Sequence, residues 1–227
     1  MKRSAKKTSS GGKIFGILFA LLAVIVIVVG FLFFNPFGGK VSNTAKKTNG
    51  SSTSASSQTV KYEPSQEEKD YLKNRFDQLI AVNPEAIAYV YAPGTELDEP
   101  VVQTTDNETY LNKTFDGGNV PYLGTVFMDM DNKKDFSDRL TWLFGHARGS
   151  KVGDHRMFND VNFYDKQDYF DQHPYVVIET PERKYYYEAM CLVIVPETTA
   201  FYRTSFKDDK DFTTQLKKVY EDGQTKN

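Results

Sequence analysis

Leu140–Phe158 reads LTWLFGHARGSKVGDHRMF. A short apolar run, Leu140 to Phe144, stops abruptly at Gly145-His146, a polar loop containing glycine follows, and Met157-Phe158 closes it. A run this short, bounded by glycine, reads as a buried strand. Its end delivers one histidine, His146, to the rim of a cleft. Imidazole titrates near neutral pH, so a histidine in that place is a candidate general acid and base.

Working outward, the same grammar of short strands and turn residues continues on both sides. Gly124–Met130 is a strand before it, and Tyr175–Thr180 with Lys184–Val195 reads as a hairpin across Pro181-Glu182-Arg183. Further upstream, Ile87–Tyr91 ends at Pro93-Gly94, and Pro100–Gln103 is the next strand. Asp106 can cap the free amides of a short helix. A longer helix runs from about Ser65 to about Ala81: Ser65-Gln66-Glu67-Glu68 fits a capping box, Leu72, Phe76, Leu79 and Ile80 keep helical spacing, and Asn83-Pro84 ends it. Asp211–Tyr220 begins another. Many short strands with few helices predict a mainly β domain, a barrel or sandwich with peripheral helices.

The 227 residues suffice for one domain plus appendages, and 17 Phe and 14 Tyr supply core area despite a mean hydropathy of -0.51. Ile14 to Phe34 carries no charge over 21 residues, enough to span a bilayer as a helix. It is longer than a secretory signal's apolar region and lacks a small-residue cleavage site, so it reads as an uncleaved signal anchor. Residues 1–13 carry five cations and no acid, which places them in the cytoplasm and everything after Asn35 outside. Residues 35–64 are a Gly, Ser, Thr, Asn and Lys linker that cannot bury enough surface to order itself. Of the total charge of -2, the tail holds +5 and the linker +3, leaving -10 for the domain at 65–227. So acidic a domain argues against nucleic acid as a partner.

The single cysteine, Cys191, excludes an intramolecular disulfide and sits inside the apolar run Tyr185–Val195, where a thiol reads as a small buried hydrophobe. His155 and His173 read as surface or turn residues. Asp129, Asp131, Asp135 and Asp138 have an acidic spacing, but the glycine of a calcium loop is missing and Lys133 and Lys134 oppose a cation. With no zinc spacing and no phosphate-binding glycine loop either, neither metal nor cofactor is expected.

Four segments resemble the class B sortases, membrane-anchored cysteine transpeptidases of Gram-positive bacteria. They are Asn83-Pro84-Glu85 leading into Ile87–Tyr91; Gly94-Thr95 with Glu99–Leu111; Gly124–Asp129; and Phe144-Gly145-His146 with Met157-Phe158. Ala88 and Tyr89 depart mildly from the family, which often has glycine and tryptophan there. The resemblance implies a sortase-like eight-stranded β-barrel behind the transmembrane helix. It also implies a reaction in which a cysteine cleaves a Leu-Pro-x-Thr-Gly-like or Asn-Pro-x-Thr-x sorting signal after threonine and an amine, from a peptidoglycan precursor or a pilin lysine, resolves the thioester. Surface proteins or pilins bearing sorting signals would be partners at the plasma membrane. His146 matches the family's catalytic histidine, and Asn107 and Leu111 fall where the family lines its substrate groove. The family's cysteine, in a Thr-Leu-x-Thr-Cys-like context, and its arginine on the following strand have no counterpart here. The resemblance therefore implies a domain that is incomplete at its C-terminus, inactive as it stands. The alternative is a tethered sortase-like protein that binds sorting signals or assists pilus assembly without cutting. A third reading is an unrelated β-domain that scaffolds the cell surface.

Overall fold

The structure, a computed structural model, describes residues 62–147, 156–196 and 199–227, with the backbone of Val24–Val26. In chain order the elements are β1 (Val24–Val26), α1 (Gln66–Val82), β2 (Ala86–Tyr91), β3 (Asp98–Val102), a 3-10 turn at Thr109–Leu111, β4 (Val126–Met128) and β5 (Thr141–Phe144). A second 3-10 helix (Asn159–Asp165), α2 (Gln167–Gln172), β6 (Tyr175–Glu179), β7 (Lys184–Glu188), β8 (Cys191–Leu192), α3 (Asp209–Glu221) and β9 (Thr225–Lys226) follow.

Seven strands form one sheet in the order β1-β5-β4-β3-β2-β6-β7, and β8 pairs with β9 in a separate ribbon. β3 and β4 are parallel and every other pair is antiparallel. The mainly β fold with peripheral helices is as expected. In place of eight strands closed into a barrel, the described residues form this seven-stranded sheet and two-stranded ribbon. The run at 14–34 lies outside the described residues except for Val24–Val26, which are extended and paired with β5 where a helix is expected. Among the described residues no helix is long and apolar enough to cross a membrane. The tail at 1–13 and the linker up to residue 61 lie outside the described residues.

The sheet is apolar on both faces because its central strands alternate between two cores. Val101, Val126, Met128 and Leu143 face one, together with Phe158, Val161, Tyr164 and Phe170 from the segment after β5. Val102, Phe127, Trp142 and Phe144 face the other, with Tyr110, Phe206 and Phe212. Every residue of β5 is therefore buried, and the strand is held in place by packing from both sides.

Helix α1 starts where Ser65 Oγ accepts the Glu68 amide at 3.1 Å. The Glu68 carboxylate does not return the capping bond; it accepts from Tyr62 and from the Lys184 amide on β7. Leu72 and Phe76 are the helix's buried residues, while Ile80 is exposed. The helix is also pinned by charge: Glu179, fully buried on β6, lies 3.1 Å from Arg75 Nε and 2.7 Å from Lys184 Nζ.

Candidate active site

β5 runs into Gly145, and the absence of a side chain there is a packing requirement. A Cβ would stand 2.9 Å from the Phe158 ring and 3.3 Å from Val126. His146 follows, half-buried, on the rim. Its carbonyl accepts the Phe158 amide at 3.0 Å, and Ala147 bridges Met157, so the polar loop leaves and returns at one point. Buried Glu99 on β3 fixes the return, its Oε1 accepting the Met157 amide at 2.8 Å. Residues 148–155, His155 among them, lie outside the described residues.

The imidazole is anchored by the 3-10 turn at Thr109–Leu111. His146 Nε2 is 2.7 Å from the Leu111 carbonyl oxygen. A carbonyl can only accept, so Nε2 carries the hydrogen, which sets the tautomer. Leu111 ends the 3-10 turn whose start Asp106 caps: Asp106 Oδ1 accepts the Glu108 and Thr109 amides at 2.8 and 2.7 Å. Those bonds, the Thr109 amide first, hold the Asp106 carboxyl below its usual range. Tyr110, buried, donates to Glu85 Oε2 at 2.6 Å and accepts from Asn83 at 2.7 Å, locking the turn to the end of α1. Tyr122 stands beside the imidazole in a T-shaped arrangement, with ring centroids 6.5 Å apart.

His146 and Leu111 are thus brought together, through the Leu111 backbone. Asn107 is placed on the same segment, engaged with the end of β4: its Nδ2 donates to Asp129 Oδ2 at 2.7 Å and its Oδ1 accepts the Met130 amide at 2.9 Å. Asp129, fully buried, also accepts from the Tyr202 hydroxyl at 2.6 Å and from the Asp131 amide at 2.9 Å. Burial first, then Asp129, push the Tyr202 hydroxyl well above its ordinary pKa. The backbone beside Tyr202 is tied to β5, where Trp142 Nε1 donates to the Arg203 carbonyl at 2.8 Å. Tyr122, Asp129 and Tyr202 were not legible as neighbours of these residues, because contacts between residues 22 to 73 positions apart leave no local pattern.

Of the four aspartates in the 129–138 stretch, Asp129, Asp135 and Asp138 accept backbone amides of their own loop. Asp138 Oδ2 accepts from Asn132 and the Lys133 amide, and Asp135 accepts the Ser137 amide. Among the described residues no group of three or more His, Cys, Asp or Glu is placed to hold a metal ion. His173 is half-buried at the C-cap of α2, its ring 4.0 Å from that of Tyr169 and its Nδ1 2.8 Å from the Tyr169 carbonyl, a helix-end residue where a surface or turn residue is expected. Cys191 belongs to the β8–β9 ribbon, not to the sheet carrying His146. Its thiol is 3.8 Å from the Val219 carbonyl, and burial pushes its pKa up to about 11. It stays a thiol at neutral pH, not the thiolate that nucleophilic attack requires.

No family model matches the sequence. Among curated proteins, the chain is 27% identical over 144 residues to sortase B of Staphylococcus aureus, covering 63% of this chain and 57% of that protein. It is 28% identical over 150 residues to sortase B of Listeria monocytogenes, covering 65% and 58%. The chain thus spans less than three fifths of the length of these relatives. Among solved structures, it matches a Staphylococcus aureus sortase B–substrate complex with a TM-score of 0.63 and 25% identity, over 71% of this chain and 76% of that one. In sequence and in fold, the chain is similar to the class B sortases.

Proposed function

We propose that the chain serves sortase-type acyl transfer on sorting-signal peptides, with His146 as its general acid and base. The observation that carries this reading is the imidazole delivered by a buried strand to the rim and held there by the Leu111 carbonyl at 2.7 Å. The likeness to a sortase B solved with its substrate supports it. In this chemistry a cysteine thiolate attacks the carbonyl carbon of the threonine, and the C–N bond that follows it breaks, leaving a thioester. His146 gives its proton to the departing amine. An incoming amine then attacks the thioester, passes a proton to His146 and frees the thiolate. A peptidoglycan precursor or a pilin lysine suits the acceptor role. Cys191 does not suit the nucleophile's role, so this reading assigns His146 the proton transfer and the thiolate to a cysteine other than Cys191.

The unsuitability of Cys191, which lies in the β8–β9 ribbon with its thiol pKa pushed up to about 11, favours a second reading, in which the surroundings of His146 bind sorting signals without cutting them, as a tethered assembly protein. In both, residues 14–34 anchor the domain on the outer side of the plasma membrane. Inside a bilayer the backbone of that run has to satisfy itself as a helix, so insertion exchanges the β1–β5 pairing for the membrane. Fluorescent Asn-Pro-x-Thr and Leu-Pro-x-Thr-Gly peptides, followed by anisotropy for binding and by chromatography for cleavage, test both readings. Binding is expected. Cleavage by this chain would show that Cys191 has been wrongly excluded, and no binding would contradict both readings.

A further inference from the structure

Three non-glycine residues among those described have positive φ: Phe136 at 56°, Met157 at 60° and Tyr122 at 64°. Side chains adopt this left-handed region at a cost, which must be offset elsewhere. For Phe136 and Met157 the offset is plain, because they are 4% and 1% exposed and belong to the core. Tyr122 is 55% exposed. Core packing does not account for its backbone conformation.

The turn that holds Tyr122 is rigidly built. The Val120 amide donates to the Asn112 carbonyl at 2.9 Å, the Leu123 amide to the Val120 carbonyl at 3.1 Å and the Thr125 amide to the Tyr110 carbonyl at 3.0 Å. Leu123 is buried beneath it, and Gly124, at φ 64°, lies too close to the 3-10 turn to carry a side chain. The construction fixes an aromatic ring in the open, edge-on to His146, with exposed Val120 on the same turn. A tyrosine offers a flat apolar face and a polar tip at small cost in side-chain entropy, which suits recognition of an extended peptide.

We propose that Tyr122 is a substrate-contact residue: with Val120 it forms a platform on which an apolar side chain of the peptide rests beside His146. This rests on the sortase-type reading of the cleft. The strained backbone is the means by which the turn aims the ring.

The test compares the full 227-residue chain with Tyr122→Gly and Tyr122→Phe, using a fluorescent Asn-Pro-x-Thr peptide. Glycine relieves the backbone strain, so Tyr122→Gly is expected to melt no lower than the parent while binding the peptide about three- to tenfold more weakly. Tyr122→Phe keeps the platform and stays within about twofold. The His146 titration, followed by NMR, is expected to be unchanged in both. Should Tyr122→Gly not fold, Tyr122→Asn repeats the comparison, since asparagine also tolerates this conformation. Equal affinity in the parent and the glycine variant overturns the proposal and leaves the sortase-type reading standing. A moved His146 titration with unchanged affinity also overturns it, by making Tyr122 a positioning residue. A parent chain that does not bind the peptide overturns the sortase-type reading, and this proposal with it.

Discussion

Gly124 lies where the 3-10 turn comes closest to the chain, and its missing side chain protects the anchor of His146. A Cβ there would stand 2.2 Å from the Tyr110 carbonyl oxygen and 2.7 Å from that of Leu111, on a backbone with φ 64°. Both obstacles are main chain, so the turn itself must shift. Gly124→Ala is expected to cost about 2 kcal/mol, seen as a lower denaturation midpoint, and to move the His146 ring signals by NMR. An unchanged midpoint would mean that the turn yields freely. Glu179 is the second residue on which much depends, a fully buried carboxylate against Arg75 and Lys184. Glu179→Gln leaves two cations facing a neutral group and is expected to destabilise by about 3 kcal/mol, measured in urea. At this scale the sequence made His146 legible, because an apolar run ending in Gly-His announces itself. It did not make the partner of His146 legible as such. Leu111 acts through its carbonyl, which every residue type possesses, so only the fold reveals that the two meet.

Elements with strong local signals were legible and elements set by distant contacts were not. Ser65 starts α1 as its hydroxyl and following acids suggest, and the β6–β7 hairpin turns at the expected Pro181-Glu182-Arg183. The second strand of that hairpin was expected to continue to Val195. It ends at Glu188: the Ala189 amide still bonds the Pro174 carbonyl, one step further in the β6–β7 register, but Cys191–Leu192 pair instead with Thr225–Lys226. The segment at 159–172 was unread, since its buried Phe158, Val161 and Tyr164 recur every three residues, the spacing of a 3-10 helix, not of an α-helix or a strand. The stretch before α3 carries an expectation about pH. Arg203 grips the Asp211 carboxylate at 2.9 and 2.6 Å, and that bond, followed by the Lys207 amide, lowers the Asp211 pKa to about 2. A carboxylate whose pKa is depressed by folding stabilises fully above about pH 4 and loses that contribution as pH falls toward 2. Trp142, the sole tryptophan, bonds the Arg203 carbonyl and reports on the clamp. Its emission should change between pH 4 and 2, and Asp211→Asn should show part of that change already at neutral pH. An identical profile in the variant would contradict this role for the clamp.

On the scale of the molecule, two cores on opposite faces of one sheet make β5 the best-supported strand, and the candidate catalytic residue stands at its end. The mainly β class was legible because strands and turns alternate along the sequence. The strand count was not, because pairing depends on neighbours far away in the chain. The four sequence segments that resemble the class B sortases converge in space: Glu85 bonds Tyr110, Glu99 bonds Met157, Asn107 bonds Asp129, and His146 bonds Leu111. That convergence is what makes the rim around His146 the centre of the account. The most direct test of it is the NMR signal of the His146 imidazole during titration of the full chain with an Asn-Pro-x-Thr peptide. A saturable shift of that signal, with the same affinity as the fluorescence change, is the predicted result. Binding that leaves the His146 signal unmoved would place the peptide elsewhere and contradict the account.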